Sequence, residues 1–255
     1  MILVIDIGNT NIVLGIYKEE KLLHLWRVST NAKATADEYF VMIHNLLHFD
    51  NIDAKMIRKT VIGSVVTPLE AVFQNVSRRL TGKDCYVVSV NSFPDMKIKI
   101  DNPSEVGADR LLNASAGFNK YKSPLIIIDF GTATTFDVIS GKGEYLGGAI
   151  APGLMLSLDA LTEKAFKLPR IDLEKPPTVV GKNTPHCMQS GVVYGYAGMV
   201  DSMVERISNE LGYQLKVIAT GGLAKLIQPV SLTIEAVVDD LTLSGLFRIS
   251  QEIDK

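Results

Sequence analysis

The chain repeats itself, and the repeat limits what it can fold into. Residues 2–11 read Ile-Leu-Val-Ile-Asp-Ile-Gly-Asn-Thr-Asn, and residues 125–134 read Leu-Ile-Ile-Ile-Asp-Phe-Gly-Thr-Ala-Thr. Each copy has a buried-strand run, then Asp-x-Gly, then small hydroxyl or amide residues, then a further strand. Asp6 and Asp129 stand 123 residues apart in a chain of 255, close to half its length. Self-similarity at such a spacing marks a duplicated unit. The expectation is two related α/β domains facing each other, residues 1–115 and 116–255.

The remaining pattern fits that plan. Strands are predicted over 2–7, 11–17 and 21–28 as an antiparallel meander, with the charged turn Lys18-Glu19-Glu20 before the third. Helical spacing of Phe40, Ile43, Leu46 and Leu47 predicts a helix over 37–49. A strand over 60–66, a helix over 68–80 with Pro68 in its first turn, and a strand over 85–90 follow. The second half opens with a helix over 105–121, then strands over 124–129, 136–140 and 145–150. Helices are expected over 152–164, 188–211, 222–227 and 240–249, with a strand over 214–219. Residues 168–184 carry Pro169, Pro176 and Pro177 and read as a long functional loop.

A strand–Asp-x-Gly–strand hairpin turns backbone N–H groups into a concave nest for phosphate oxygens. Gly8 and Gly131 are expected to supply positive φ and close approach. Thr10, Asn11, Thr132 and Thr134 add donors. A carboxylate so near a polyphosphate makes sense holding Mg²⁺, directly or through water. One such turn is common, whereas two in matching context point to one nucleotide gripped from both sides. Thr220-Gly221-Gly222 after an apolar strand gives a bare surface for a base or ribose. Gly107-Ala108-Asp109-Arg110, at or near a helix start, pairs a proton acceptor for an alcohol with a cation that orients a substrate. No GxxxxGK[ST] phosphate loop and no dinucleotide fingerprint is present.

Composition removes other classes. Hydrophobic residues are 47% and charged residues 21%, which excludes wholesale disorder. Lys plus Arg is 26 against 28 for Asp plus Glu, a net charge of −2, so neither nucleic acid nor an anionic membrane is an expected partner. Cys85 and Cys187 form no CxxC motif and no disulfide framework, which points to a reducing, cytoplasmic setting. No apolar run approaches a membrane span, and residues 1–6 lack the basic region of a secretory signal. His44 and His48 lack an HExxH glutamate, and His186-Cys187 lacks a third partner.

Together these motifs resemble the type III pantothenate kinases, of the superfamily of acetate and sugar kinases, heat-shock chaperones and actin. The likeness rests on Asp6 to Asn11, Gly107 to Arg110, Asp129 to Thr135, Gly147 to Gly153, Gly181 to Thr184, Thr220 to Gly222 and Leu241 to Leu246, and covers nearly the whole chain. It implies two duplicated ribonuclease H-like domains in an actin-like ATPase fold, with a nucleotide cleft between them. It implies ATP-dependent phosphorylation of pantothenate, the first step of coenzyme A synthesis. Asp109 then matches the proton acceptor, and Gly107, Ala108, Arg110 and Thr184 match substrate contacts. Asp6, Gly8, Asn9, Thr10, Asn11, Thr132, Gly221 and Gly222 match the ATP site, with Asp6 near Mg²⁺. Asp129 matches a monovalent cation site for K⁺ or NH₄⁺. Family members are dimers, and Gly191, Gly195, Ala197 and Gly198 give one helix a small face suited either to a second subunit or to packing within the chain. Two rivals stand beside this reading: a regulatory protein of the same fold with lost turnover, and a kinase for another hydroxylated or carboxylated acceptor.

Overall fold

A computed structural model describes residues 1–253. The chain divides into two compact units. The first comprises Met1–Met96, Asp101–Ala116 and the C-terminal stretch from Leu241, and the second Lys97–Ile100 with Gly117–Asp240.

The first unit is built on strands β1 (Ile2–Ile7), β2 (Asn11–Lys18), β3 (Lys21–Ser29), β4 (Lys59–Ser64) and β5 (Tyr86–Val87). Their order is β3-β2-β1-β4-β5, with β1 antiparallel to β2 and parallel to β4. Side chains alternate between the faces of β1. Leu3, Ile5 and Ile7 enter a core with Tyr39, Ile43 and Leu47 of α1 (Ala36–Phe49) and Leu69, Phe73 and Val76 of α2 (Thr67–Thr81). Thr35 and Glu38 close α1 with a capping box, which satisfies two otherwise orphaned amides. On β4, a Cβ built on Gly63 would lie 2.8 Å from Leu112 of α3 (Ala108–Tyr121) and 3.3 Å from Leu246 of α7 (Leu241–Glu252). The bare position lets both helices sit close against the sheet.

The second unit repeats the plan. Its strands are β6 (Leu125–Phe130), β7 (Ala133–Ile139), β8 (Tyr145–Pro152), β9 (Lys216–Thr220) and β10 (Ala236–Val237), in the order β10-β9-β6-β7-β8. Central β6 is antiparallel to β7 and parallel to β9, as β1 is to β2 and β4. The repeat read from the sequence is therefore a repeat of topology. Ile126, Ile128 and Phe130 pack with Leu154 and Leu158 of α4 (Leu154–Lys164) and Val193, Ala197 and Val200 of α5 (Thr184–Leu211), and short α6 (Ala224–Ile227) closes the same core.

The differences from expectation have local causes. The expected strand 85–90 shortens to two residues because a 3₁₀ turn starts at Val90. Residues 105–107 lie outside α3 because Pro103–Glu105 forms its own 3₁₀ turn. Pro152 ends β8 instead of starting α4, since it still pairs with Ala133. Helix α5 starts four residues early, where Asn183 accepts from the His186 N–H at 2.9 Å. The chain passes between units after Ala116 and returns after Asp240. The last stretch, grouped with 116–255 on sequence, thus packs in the first unit, where α7 lies on β1 and β4.

Candidate active site

In the first unit the site elements gather at the carboxyl ends of two parallel strands, where open α/β sheets place ligands. Asp6 stands near the end of β1 beside Gly63. The following hairpin is closed by the Gly8 N–H donating to the Asn11 carbonyl at 3.0 Å. Thr30 braces it twice: its N–H donates to the Thr10 carbonyl at 2.9 Å and its hydroxyl to the Gly8 carbonyl at 2.6 Å. Asn9 and Thr10 are exposed at the tip, and Gly8 and Asn11 are half-buried. The Val65 N–H, just past β4, donates to the Ile7 carbonyl at 3.1 Å. The Val65 side chain lies 3.7 Å from a Cβ built on Gly107. Val65 thus joins the Asp6 hairpin to the Gly107–Arg110 turn.

That turn explains its own composition. A Cβ on Gly107 would fall 2.4 Å from the Asp109 Oδ1, so any other residue would push the carboxylate aside. Asp109 and Arg110 sit in the first turn of α3, and the Arg110 N–H donates to the Asp109 Oδ1 at 2.8 Å. Burial raises the Asp109 carboxyl above the usual carboxylate range, against the lowering pull of the Arg110 N–H and guanidinium. A carboxylate raised in this way is a better proton acceptor from an alcohol.

The second unit carries the remaining expected residues. Asp129 pairs in register with Thr220 near the ends of β6 and β9. Gly221 has φ +91°, and a Cβ there would stand 2.5 Å from the Asp129 Oδ1 and 2.7 Å from Phe130 backbone. Gly222 follows, exposed. The hairpin is closed by the Gly131 N–H donating to the Ala133 carbonyl at 3.0 Å, and the Gly153 N–H donates to the Thr132 carbonyl at 3.0 Å. Tyr196 fixes the Pro152–Gly153 corner by donating to the Pro152 carbonyl at 2.9 Å. Thr184 opens α5 at the rim of a cavity of about 570 Å³, lined also by Leu161, Leu168, Gly181 and Cys187.

Three expectations about the hairpins change. Neither Gly8 nor Gly131 adopts positive φ; the need for glycine at position 8 is close approach, its Cβ falling 3.0 Å from the Asn11 carbonyl. The second hairpin is one residue shorter, because Phe130 pairs with Thr134 where Ile7 pairs with Ile12. Thr134 therefore points inward, with 0% exposure, and its hydroxyl has no hydrogen-bond partner among the described residues. It lends no donor to a nest. Thr30 and Val65 were not expected, since only tertiary pairing brings them to the turn.

No three His, Cys, Asp or Glu side chains gather into a metal cage among the described residues. Mg²⁺ on a nucleotide needs none, because it keeps water and phosphate oxygens and takes one or two carboxylates. A half-buried Asp6 at a strand end fits that demand.

Comparison with known proteins bears on the family and the fold. The family model described as type III pantothenate kinase matches residues 2–206. The type III pantothenate kinase of Geobacter sp. (strain M21) is 53% identical over 251 residues, covering 98% of this chain and 99% of that protein. A ROK family glucokinase from Streptomyces griseus, solved with glucose and AMPPNP, shares the fold with TM-score 0.54 at 15% identity, over 98% of this chain and 99% of its own. A Campylobacter jejuni protein assigned to the Baf family of transcriptional activators does so with TM-score 0.60 at 17% identity, over 99% and 98%. These neighbours place the duplicated sheets in the actin-like ATPase fold, and the full-length identity settles the narrower question: the chain belongs to the type III pantothenate kinases.

Proposed function

We propose that the chain transfers the γ-phosphoryl group of ATP to the primary alcohol of pantothenate, in the cytoplasm, as the first step of coenzyme A synthesis. The observation that carries this is the Gly107–Arg110 turn, joined through Val65 to the Asp6 hairpin, in a chain 53% identical over its length to a protein of that name. Phosphoryl transfer has a loose transition state, so placement and charge neutralisation dominate. The hairpins at Asp6 and Asp129 hold the phosphates, with Gly8, Asn9, Thr10, Asn11 and Thr132 as contacts and Gly221-Gly222 against the nucleoside. Bound with the nucleotide, Mg²⁺ neutralises phosphate charge, and Asp6 holds it directly or through water. Asp129 holds a monovalent cation, K⁺ or NH₄⁺, in the space Gly221 leaves open. Asp109 accepts the hydroxyl proton, while Ala108, Arg110 and Thr184 orient pantothenate.

The working form is a homodimer. Gly191, Gly195 and Gly198 of α5 are exposed, and a Cβ on any of them meets nothing within 4 Å. Among the described residues no atom stands where their side chains would be, so the small face is left for a second copy.

The test is coupled ADP release with pantothenate, ATP and Mg²⁺, in K⁺ and in Na⁺ buffers. Pantothenate-dependent turnover that requires K⁺ is expected. Folded protein without turnover in either buffer would overturn the assignment in favour of another acceptor or a regulatory role.

A further inference from the structure

The tip of the Asp6 hairpin belongs to neither of its strands, since β1 ends at Ile7 and β2 begins at Asn11. The Gly8 N–H closes the turn on the Asn11 carbonyl, but that bond does not orient the peptides between. Thr30, the first residue past β3, does. Its N–H donates to the Thr10 carbonyl at 2.9 Å and its hydroxyl to the Gly8 carbonyl at 2.6 Å. Each accepted carbonyl fixes the plane of its peptide, and in a trans peptide the N–H points away from the C=O. The Asn9 and Asn11 N–H groups are thereby both turned away from Thr30.

Thr30 is in turn held from the core. The N–H of its neighbour Asn31 donates to the Tyr39 hydroxyl at 2.9 Å, and that hydroxyl donates to the Asn31 carbonyl at 3.0 Å. Tyr39, on α1, is 3% exposed, and its ring centroid lies 4.7 Å from that of Phe73 on α2. Hydrogen bonds and one peptide link thus run unbroken from a buried tyrosine to the hairpin tip. All of these residues belong to the first unit.

We propose that Thr30 is a positioning residue for the nucleotide: anchored through Asn31 to Tyr39, it sets the peptide planes with which the hairpin tip meets the phosphates of ATP. Thr30 acts through the tip and not on ATP itself. This rests on the reading of the Asp6 hairpin as a phosphate site.

Thr30→Val is the test. It exchanges the hydroxyl for a methyl of similar size and keeps the N–H bond to Thr10. Turnover and Michaelis constants for both substrates are measured, with amide exchange over residues 8–11. The expected result is an ATP KM raised roughly five- to tenfold, on the scale of one lost hydrogen bond, a pantothenate KM within about twofold, and faster exchange at 8–11. Thr30→Ser restores the hydroxyl and recovers the ATP KM. Tyr39→Phe, which keeps the ring on Phe73 and releases Asn31, raises the same constant. A fall in kcat with both Michaelis constants in place, as from loss of folded protein alone, overturns the brace. So do two constants that rise together, or a Thr30→Ser as impaired as Thr30→Val. If the wild type shows no pantothenate-dependent turnover, the assigned function fails, and the exchange arm still decides: equal protection of 8–11 in wild type and Thr30→Val would sink the brace by itself.

Discussion

Asp109 serves two opposed demands. Its carboxyl is raised by burial, so the folded protein binds that proton more tightly than the unfolded chain. Ionising it then costs folding free energy as the pH rises past the ordinary carboxylate value, whereas the proposed role as proton acceptor needs it ionised. Asp109→Asn should accordingly lose most turnover at pH 7 while nucleotide binding survives, and should melt at a higher temperature than the wild type. That gain shrinks as the pH falls below the usual carboxylate range, where the wild type is protonated too. Thermal melts at neutral and acid pH with nucleotide titrations check this, and equal loss of turnover and nucleotide binding would contradict the assigned role. Asp6, Asp129 and Asp109 were legible in the sequence because each sits in a short run whose local geometry is fixed by its neighbours. Thr30 and Val65 were not, since a threonine after a strand and a valine before a helix carry no mark of the partner that pairing across the sheet brings them.

The elements hold the site through few attachments. Helix α5 is tied to the 231–233 turn by Asp201 alone among acidic residues described there. Its carboxylate accepts from the Ser231 hydroxyl at 2.7 Å, the Leu232 N–H at 3.0 Å, and the Thr233 N–H and hydroxyl at 3.1 and 2.8 Å. Burial alone would raise this carboxyl, and these donors together hold it below the usual range. A depressed value contributes stability above the unfolded carboxylate value that is lost as the pH falls through the folded one. Asp201→Ala should cost about 1–2 kcal/mol by chemical denaturation at pH 7, less at acid pH, with pantothenate turnover per folded molecule unchanged. A cost independent of pH would contradict it. Helix and strand types were legible from periodicity, but ends were set by contacts no window shows. Pro152 looks like a helix opener and is a strand residue because Ala133 lies opposite. Two-residue β10 is too short to carry any alternation.

At the scale of the whole molecule, the α5 glycines predict association. Light scattering at micromolar concentration should report twice the 27.9 kDa chain mass, and Gly195→Leu should shift it toward one chain without altering the melting of either unit. A wild type that scatters as a single chain would overturn the dimer. The duplication was readable because both copies keep the same strand run and Asp-x-Gly. The return of α7 was not, because its apolar spacing shows that one face is buried and is silent on which sheet buries it. That return also imposes an order on synthesis. The second unit ends at Asp240, so every residue it needs has been joined to the chain before α7 is made. The first unit begins sooner and finishes later: until Leu246 emerges, one of the two helices covering Gly63 is missing. The unit that holds Asp109 is therefore completed after the other, and Asp109 reaches its final surroundings only once α7 has been made.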